Sequence, residues 1–526
     1  MLSYHFSLLS IMENISWLIL AVVSVGSLTI LSKIINNNQR RKLPPGPKPW
    51  PIIGNLNLLG SIPHQSLHHL AQKYGEIMLL KFGKFPVVIA SSPEMARQFL
   101  KVHDAVFASR PALAAGKYIS YNYSDVSFAP YGTYWREARK IFKSEIFNNK
   151  KLEYFEQIRI EERRRFLSRL QSLSGKPVVL RDHLSRLTLS TICRMVLSTN
   201  KYFTESEEDE NSNIVNMDEL REMMKEWFLL AGAFNIGDWI PWLSSLDLQG
   251  YVKKMKTLRQ KMDRFSDYVI DDHIARRAAA GNDCENKDFV DILLHIVEDG
   301  TNLDVEITRD CVKALMMNLL LGGTDTSATT VEWAIHEILK QPRIMKKAKE
   351  EVERVIGRKR WVEEKDFTNH ELPYIDAIIM ETFRLHPLAT LLSPHYAIEN
   401  CNVSGYDISK GTTIIINTWS IGRDPNSWDE AEEFLPERFI GKEIDMLGSN
   451  FALLPFGSGR RRCSGYNLGL KIVRTTLANL LHGFEMKLVE GMRPQDICMD
   501  EVYGLATSPK HPLSIIMEPT LSTHLY

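Results

Sequence analysis

The chain has 526 residues, enough for a large buried core, and its 64 lysines and arginines are matched by 64 aspartates and glutamates. A polyanion-binding protein needs a basic excess or stripe, so the zero net charge excludes that class and no nucleic-acid partner is expected. The 6 cysteines are scattered without a CxxC pair, which argues against a disulfide scaffold or a zinc site and fits a reducing compartment.

Between Glu13 and Lys33 lie 19 residues without a charge, rich in isoleucine, leucine and valine. A helix needs about 20 mainly apolar residues to cross a bilayer, so residues 1–36 read as a membrane anchor. A cleaved signal peptide is the alternative. Against it stand the length of the apolar run, the lack of a small-x-small cleavage site, and the basic cluster Lys33, Arg40, Arg41 and Lys42 that follows. That cluster places everything after residue 40 on the cytoplasmic face. Residues 37–55 are basic and then proline-rich (Pro44-Pro45-Gly46-Pro47-Lys48-Pro49-Trp50-Pro51), a composition that favours a stiff extended spacer between anchor and body.

Residues 56–526 read as one large domain, mainly α with a minor β part. Residues 87–90 predict a buried strand, and 154–170 a helix whose apolar face carries Phe155, Ile158, Phe166 and Leu170, with arginines opposite. The acidic run 205–210 and the stretch 281–287 are polar connections. Trp239-Ile240-Pro241-Trp242-Leu243 suggests an exposed aromatic patch. The pattern predicts one long helix over 312–340, a second over 373–385 stopped by Pro387, a strand over 412–417 and a helix over 468–481.

The strongest chemical signal is Phe456-Gly457-Ser458-Gly459-Arg460-Arg461-Arg462-Cys463-Ser464-Gly465 at the start of that last helix. Its glycines let backbone approach a flat ligand, and its arginines suit carboxylates. A cysteine at a helix start beside arginines should favour thiolate over thiol. Within the long helix, Gly322-Gly323-Thr324-Asp325-Thr326-Ser327 holds two interior glycines, each costing about 1 kcal/mol relative to alanine. Glu381 and Arg384, at i and i+3, share one helix face, as do Trp135 and Arg139 at i and i+4.

The segment around Cys463 resembles the haem-binding signature of the cytochrome P-450 superfamily, and three further motifs of that family follow the same order along the chain. The resemblance runs from residue 44 to 465. It implies the family's fold in a single domain behind a transmembrane helix. It also implies haem b (iron protoporphyrin IX) with Cys463 as the axial metal ligand, and Trp135, Arg139, His395, Phe456, Arg461 and Gly465 around the cofactor. Glu381, Arg384 and Arg438 would form the buried structural triad. Asp325 and Thr326 would deliver protons to bound dioxygen, a task needing an acid and a hydroxyl.

Two positions depart from the plant pattern. Ser464 stands where proline usually follows the cysteine, and His395 where arginine is common. Serine at the first position of a helix would place its N–H near the sulfur, and histidine titrates near neutrality. No nicotinamide motif is present, so the resemblance implies an NADPH–cytochrome P-450 reductase as electron partner. Arg139, Lys140, Lys143, Arg460 and Arg462 are expected to form its basic docking face. It also implies the endoplasmic reticulum membrane, a single span and a cytosolic catalytic domain.

The expected activity is NADPH- and O2-dependent oxidation of a small apolar substrate, by hydroxylation or C–C cleavage. Leu388, Leu391, Leu392, Ala506 and Thr507 are the expected pocket. The stretch from Lys117-Tyr118 to Tyr123-Ser124-Asp125 is similar to a branch of plant enzymes acting on flavonoids or forming homoterpenes, so a terpenoid or phenylpropanoid is the expected substrate. A haem-thiolate isomerase or dehydratase is the first rival, against which the intact Asp325–Thr326 pair argues. A non-catalytic haem protein is the second, for which a proton relay would be superfluous.

Overall fold

The computed structural model describes residues 24, 26–27, 42–198, 215, 217–280, 288–299, 304–368 and 370–526. The expected anchor and the polar stretches 205–210 and 281–287 therefore fall outside the described residues, apart from three positions in the anchor. Among the described residues, no helix is long and apolar enough to cross a membrane.

The largest sheet has four strands in the order β1-β2-β4-β3: β1 (Ile77–Phe82), β2 (Phe85–Ala90), β3 (His395–Tyr396) and β4 (Thr413–Ile416). The hairpin β1–β2 is antiparallel, β2 pairs in parallel with β4, and β3 closes the far edge antiparallel to β4. All four residues of β4 are buried, as is Val87-Val88-Ile89-Ala90, which is why these segments read as apolar runs rather than alternations.

The proline-rich segment is not a free spacer. The Leu79 amide donates to the Pro45 carbonyl at 2.8 Å and the Asn55 amide to the Lys81 carbonyl at 2.6 Å, while Gly54 bridges Phe82. Pro45, Gly54 and Asn55 thus meet the sheet edge ahead of the catalytic body. The aromatic patch is also divided. Trp239 and Ile240 are buried, the former edge-on to Phe82 with ring centres 5.1 Å apart, and only Trp242 is strongly exposed.

Six helices build the body around the site: α1 (Thr133–Glu145), α2 (Leu180–Leu197), α3 (Arg309–Gly323), α4 (Asp325–Lys340), α5 (Pro373–Leu385) and α6 (Tyr466–Gly483). α5 has the predicted bounds, with Pro373 at its first turn, where its missing N–H costs nothing. The predicted single helix over 312–340 is two, broken at Thr324 (φ −98°, ψ −95°). The two glycines before the break serve different needs. A Cβ on Gly323 would come within 2.6 Å of the Ile192 side chain, so glycine lets α2 approach, whereas one on Gly322 would meet nothing.

The predicted helix over 154–170 is likewise interrupted, at Phe155, between Asn149–Tyr154 and Glu156–Ser172. Its arginines do not all face water. Arg159 is buried and donates twice to Glu364, at 2.6 and 2.8 Å.

α4 is buried almost all round and packs on α2, α5 and α6. The expected triad locks α5 to the segment 422–438. Glu381 accepts from Arg384 at both oxygens (2.7 Å each), from the Arg438 Nε at 3.0 Å and from the Leu435 amide at 2.7 Å. Arg384 also donates to the carbonyls of Gly422, Ala431 and Glu433. Glu381 and Arg384 are 0% and 1% exposed, so removing either partner strands a buried charge. We expect Arg384→Ala to lower unfolding free energy by about 3–5 kcal/mol, read as a fall in the urea midpoint at unchanged slope.

Candidate active site

Residues 456–465 form a turn-rich loop leading into α6. The Cys463 amide donates to the Phe456 carbonyl at 2.9 Å, closing the loop on itself. Gly459 is indispensable to it: its φ is +68°, and a Cβ there would lie 2.1 Å from the Leu100 carbonyl oxygen. α6 begins at Tyr466 with Gly465 as its cap, so neither Cys463 nor Ser464 occupies the first helical position that the sequence suggested.

Cys463 opens into a cavity of about 340 Å³. The Gly322–Gly323 break and Thr326 bound the same cavity, as do Phe456, Gly465, Leu388, Leu392 and Ala506. Leu391 and Thr507 were expected there and lie behind the wall. Leu391 packs under the sheet in a cluster with Leu67 and Ile415, and Thr507 spends its hydroxyl on Thr390 at 2.9 Å. Asp325 also stands outside the lining, where its carboxylate accepts from the Ser185 hydroxyl on α2 at 3.4 Å. Burial raises its pKa, against Lys225, Arg221 and Arg181, which act the other way.

Burial likewise pushes the Cys463 thiol above its ordinary value, while the Gly465 amide, Arg139 and Arg462 oppose the rise. The arginines thus favour thiolate as anticipated, but desolvation outweighs them when the cysteine stands alone. A coordinated metal ion would deprotonate it.

One wall of the cavity is positively charged. Arg461 donates to the carbonyls of Ala108 and Ala129, both at 2.6 Å, with its guanidinium 4.4 Å from the Trp135 ring centre. Arg110, which no motif singled out, donates to the carbonyls of Ser127 (3.0 Å), Ser393 (2.5 Å) and Pro394 (2.9 Å). Burial and repulsion from Arg110 push Arg461 down to about 8, and burial pushes Arg110 down to about 10. Asp125 acts on both as their carboxylate neighbour, and its own pKa is raised by burial to about 6.

His395 sits beside them. Desolvation and the neighbouring Arg110 hold it well below its ordinary value, and the ring nitrogen Nδ1 pairs with the Phe107 carbonyl at 2.9 Å. The expectation that His395 titrates near neutrality is therefore corrected: it is neutral there, and the positive charge at that edge comes from Arg110.

Trp135 and Arg139 are less available than expected. The Trp135 indole donates to the Val126 carbonyl at 3.0 Å, while Arg139 donates to the Ser464 hydroxyl at 2.7 Å and to the Arg462 carbonyl. Arg460 is paired with Asp104 at 2.7 Å. Of the expected docking face, Lys140, Lys143 and Arg460 are exposed, and Arg139 and Arg462 are half-buried.

A half-buried guanidinium pair with too few carboxylates is costly unless an anion joins it. That imbalance, an apolar cavity and a cysteine at its floor together fit an iron porphyrin with two propionates.

The comparisons with known proteins agree. The family model for cytochrome P-450 matches residues 44–516. The chain belongs to the cytochrome P-450 family. It is 42% identical over 532 residues to trimethyltridecatetraene synthase of Zea mays, covering 97% of this chain and 94% of that protein. It is 41% identical over 502 residues to flavonoid 3'-monooxygenase of Petunia hybrida, covering 94% and 96%. A zebra fish cytochrome P-450 solved with abiraterone superposes with a TM-score of 0.72 at 23% identity, covering 88% of this chain and all of that one, which shows the fold. The protein is accordingly an enzyme of the cytochrome P-450 monooxygenase family, whose membership implies haem with a cysteine thiolate ligand.

The raised Asp125 pKa gives a signed test. Folded Asp125 binds a proton more tightly than the unfolded group, so between about pH 4 and 6 the folded state holds more protons and stability falls as pH rises. Asp125→Asn should flatten the unfolding free energy across that window, removing a slope worth up to about 3 kcal/mol. Urea titrations at pH 4, 5 and 6 on both proteins check it.

Proposed function

We propose that this chain is an NADPH- and O2-dependent monooxygenase oxidising an apolar plant specialised metabolite, a terpenoid or phenylpropanoid, by hydroxylation or C–C cleavage. The observation that carries the reading is the meeting of Cys463, the Gly322–Thr326 break and an apolar wall in one cavity beside unmatched arginines.

Cys463 would ligate haem iron. Arg461 and Arg110 would neutralise the propionates, His395 and Arg139 would flank them, and Trp135, Phe456 and Gly465 would pack on the ring. The thiolate-ligated iron supplies dioxygen activation, aided by electron donation from sulfur.

The chain's own residues then govern protons and access. The Thr326 hydroxyl is held by the Gly322 carbonyl at 2.9 Å, which fixes its oxygen at the cavity wall. Asp325, one residue earlier and turned toward Ser185, holds a proton more readily than an ordinary carboxylate and would recharge Thr326 from the α2 side. Water is excluded by Phe142, Ile192, Trp227, Leu319, Leu388 and Leu505, which line the cavity.

Electrons would come from an NADPH–cytochrome P-450 reductase docking near Lys140 and Lys143. Residues 1–36 would anchor the protein in the endoplasmic reticulum membrane with the body in the cytosol. Exposed Trp50, Ile52, Trp242, Leu246 and Leu248 add apolar surface to the body, suited to resting against lipid. The rival isomerase reading gains nothing from the geometry, because Thr326 is in the cavity.

Product analysis with microsomes, reductase and NADPH against terpenoids and flavonoids tests the substrate class. A product from neither class overturns it. In the same assay Thr326→Ala should bind substrate normally but lower product per NADPH about ten-fold or more, diverting the reducing equivalents to hydrogen peroxide. Unchanged coupling would remove Thr326 from the relay.

A further inference from the structure

Asn318 lies on α3, one helical turn before Gly322, and its side chain meets the cavity. Its amide is oriented by the wall behind it. Nδ2 donates to the Ser127 hydroxyl oxygen at 3.0 Å and reaches the Asp125 carboxylate at 3.4 Å. Both partners are acceptors toward it, so the amide nitrogen faces them and the oxygen is turned away. Among the described residues no donor is aimed at Oδ1. Three neighbouring polar groups of the lining are already engaged: the Trp227 indole N–H is spent on the Ile119 carbonyl (3.2 Å), and the Thr326 and Thr330 hydroxyls on backbone carbonyls one turn back, both at 2.9 Å. Asn318 Oδ1 is thus a carbonyl acceptor, without a hydrogen of its own, set in a largely apolar wall.

We infer that Asn318 is a specificity-determining residue that accepts a hydrogen bond from a hydroxyl on the substrate, so that the natural substrate is a hydroxylated terpenoid or phenol and not a bare hydrocarbon. This rests on the monooxygenase reading above and narrows it. An acceptor facing the cavity loses its water when a substrate fills the space, and a site built to pair with a hydroxyl rejects the analogue that lacks one. The position fits such a role. Asn318 lies on α3 and Thr326 on α4, on opposite sides of the Thr324 break. A hydroxyl held there is remote from the carbon presented to the reactive end, so it orients the substrate without being consumed.

The test uses the full-length, haem-loaded protein and reads dissociation constants from the substrate-induced shift of the Soret band. Two ligand pairs are compared: a linear terpenoid alcohol with its methyl ether, and a flavonoid with its fully O-methylated form. Loading of each variant is checked by the spectrum of the reduced carbon monoxide complex, which a misfolded variant fails to give.

We expect the wild type to prefer the free hydroxyl by about ten-fold in whichever pair it binds. Asn318→Leu, close in volume, should weaken that hydroxylated ligand about ten-fold and leave the ether within two-fold, and the responding pair identifies the source of the hydroxyl. If Asn318→Leu proves unstable, the wild-type preference between alcohol and ether carries the test alone. Equal wild-type affinity for alcohol and ether, or equal loss of both in Asn318→Leu, overturns this inference and leaves the monooxygenase reading standing. Binding of neither pair overturns the substrate class as well.

Discussion

A single cysteine must be held at the floor of an apolar cavity while positive charge is buried beside it, and most of what is distinctive in this fold serves that combination. The loop 456–465 is closed by the Cys463-to-Phe456 hydrogen bond and pressed so tightly on Leu100 that Gly459 admits no side chain. Its Arg461 reaches sideways into carbonyls of the 108–129 region, which lies far away in sequence, so loop and wall are set by one another. The Glu381–Arg384–Arg438 triad stands behind this assembly and fixes α5 against the segment that leads into the loop. Neither arrangement is favourable in isolation, since each buries charge. They persist because Nε, Nη1 and Nη2 of Arg384, Arg438 and Arg461 each find a carbonyl or carboxylate oxygen.

The elements most legible in the sequence were those whose pattern is local. The bounds of α5 followed from Pro373 and Pro387, and the strand at 413–416 from an apolar run too short for a helix. The loop around Cys463 and the pairing of Glu381 with Arg384 were legible because their residues are close in sequence. The break at Thr324 was implied only by two costly glycines, and periodicity alone carried the helix straight through it.

What could not be read was which way a side chain turns and what distant segment it meets. Arg110 has no motif around it, and its role depends on the carbonyls of Ser393 and Pro394, brought alongside by the β3 edge. For the same reason His395 looked like a lone cationic partner when it is a neutral neighbour of one. Asp325 and Thr326 are adjacent residues that the broken helix sends in different directions, one to Ser185 and one to the cavity. Leu391 and Thr507 lie in segments that the resemblance places at the pocket, and a segment's position does not distinguish a cavity wall from the core behind it. Ser464 was read through its backbone, whereas its hydroxyl, bound to Arg139, is the group that acts.

The account stands or falls on Cys463. Reduced protein exposed to carbon monoxide should show the red-shifted Soret band that thiolate ligation produces, and Cys463→Ala should lose that band and the activity together. The same band from Cys463→Ala would contradict the assignment of the metal ligand and, with it, the reading of the cavity.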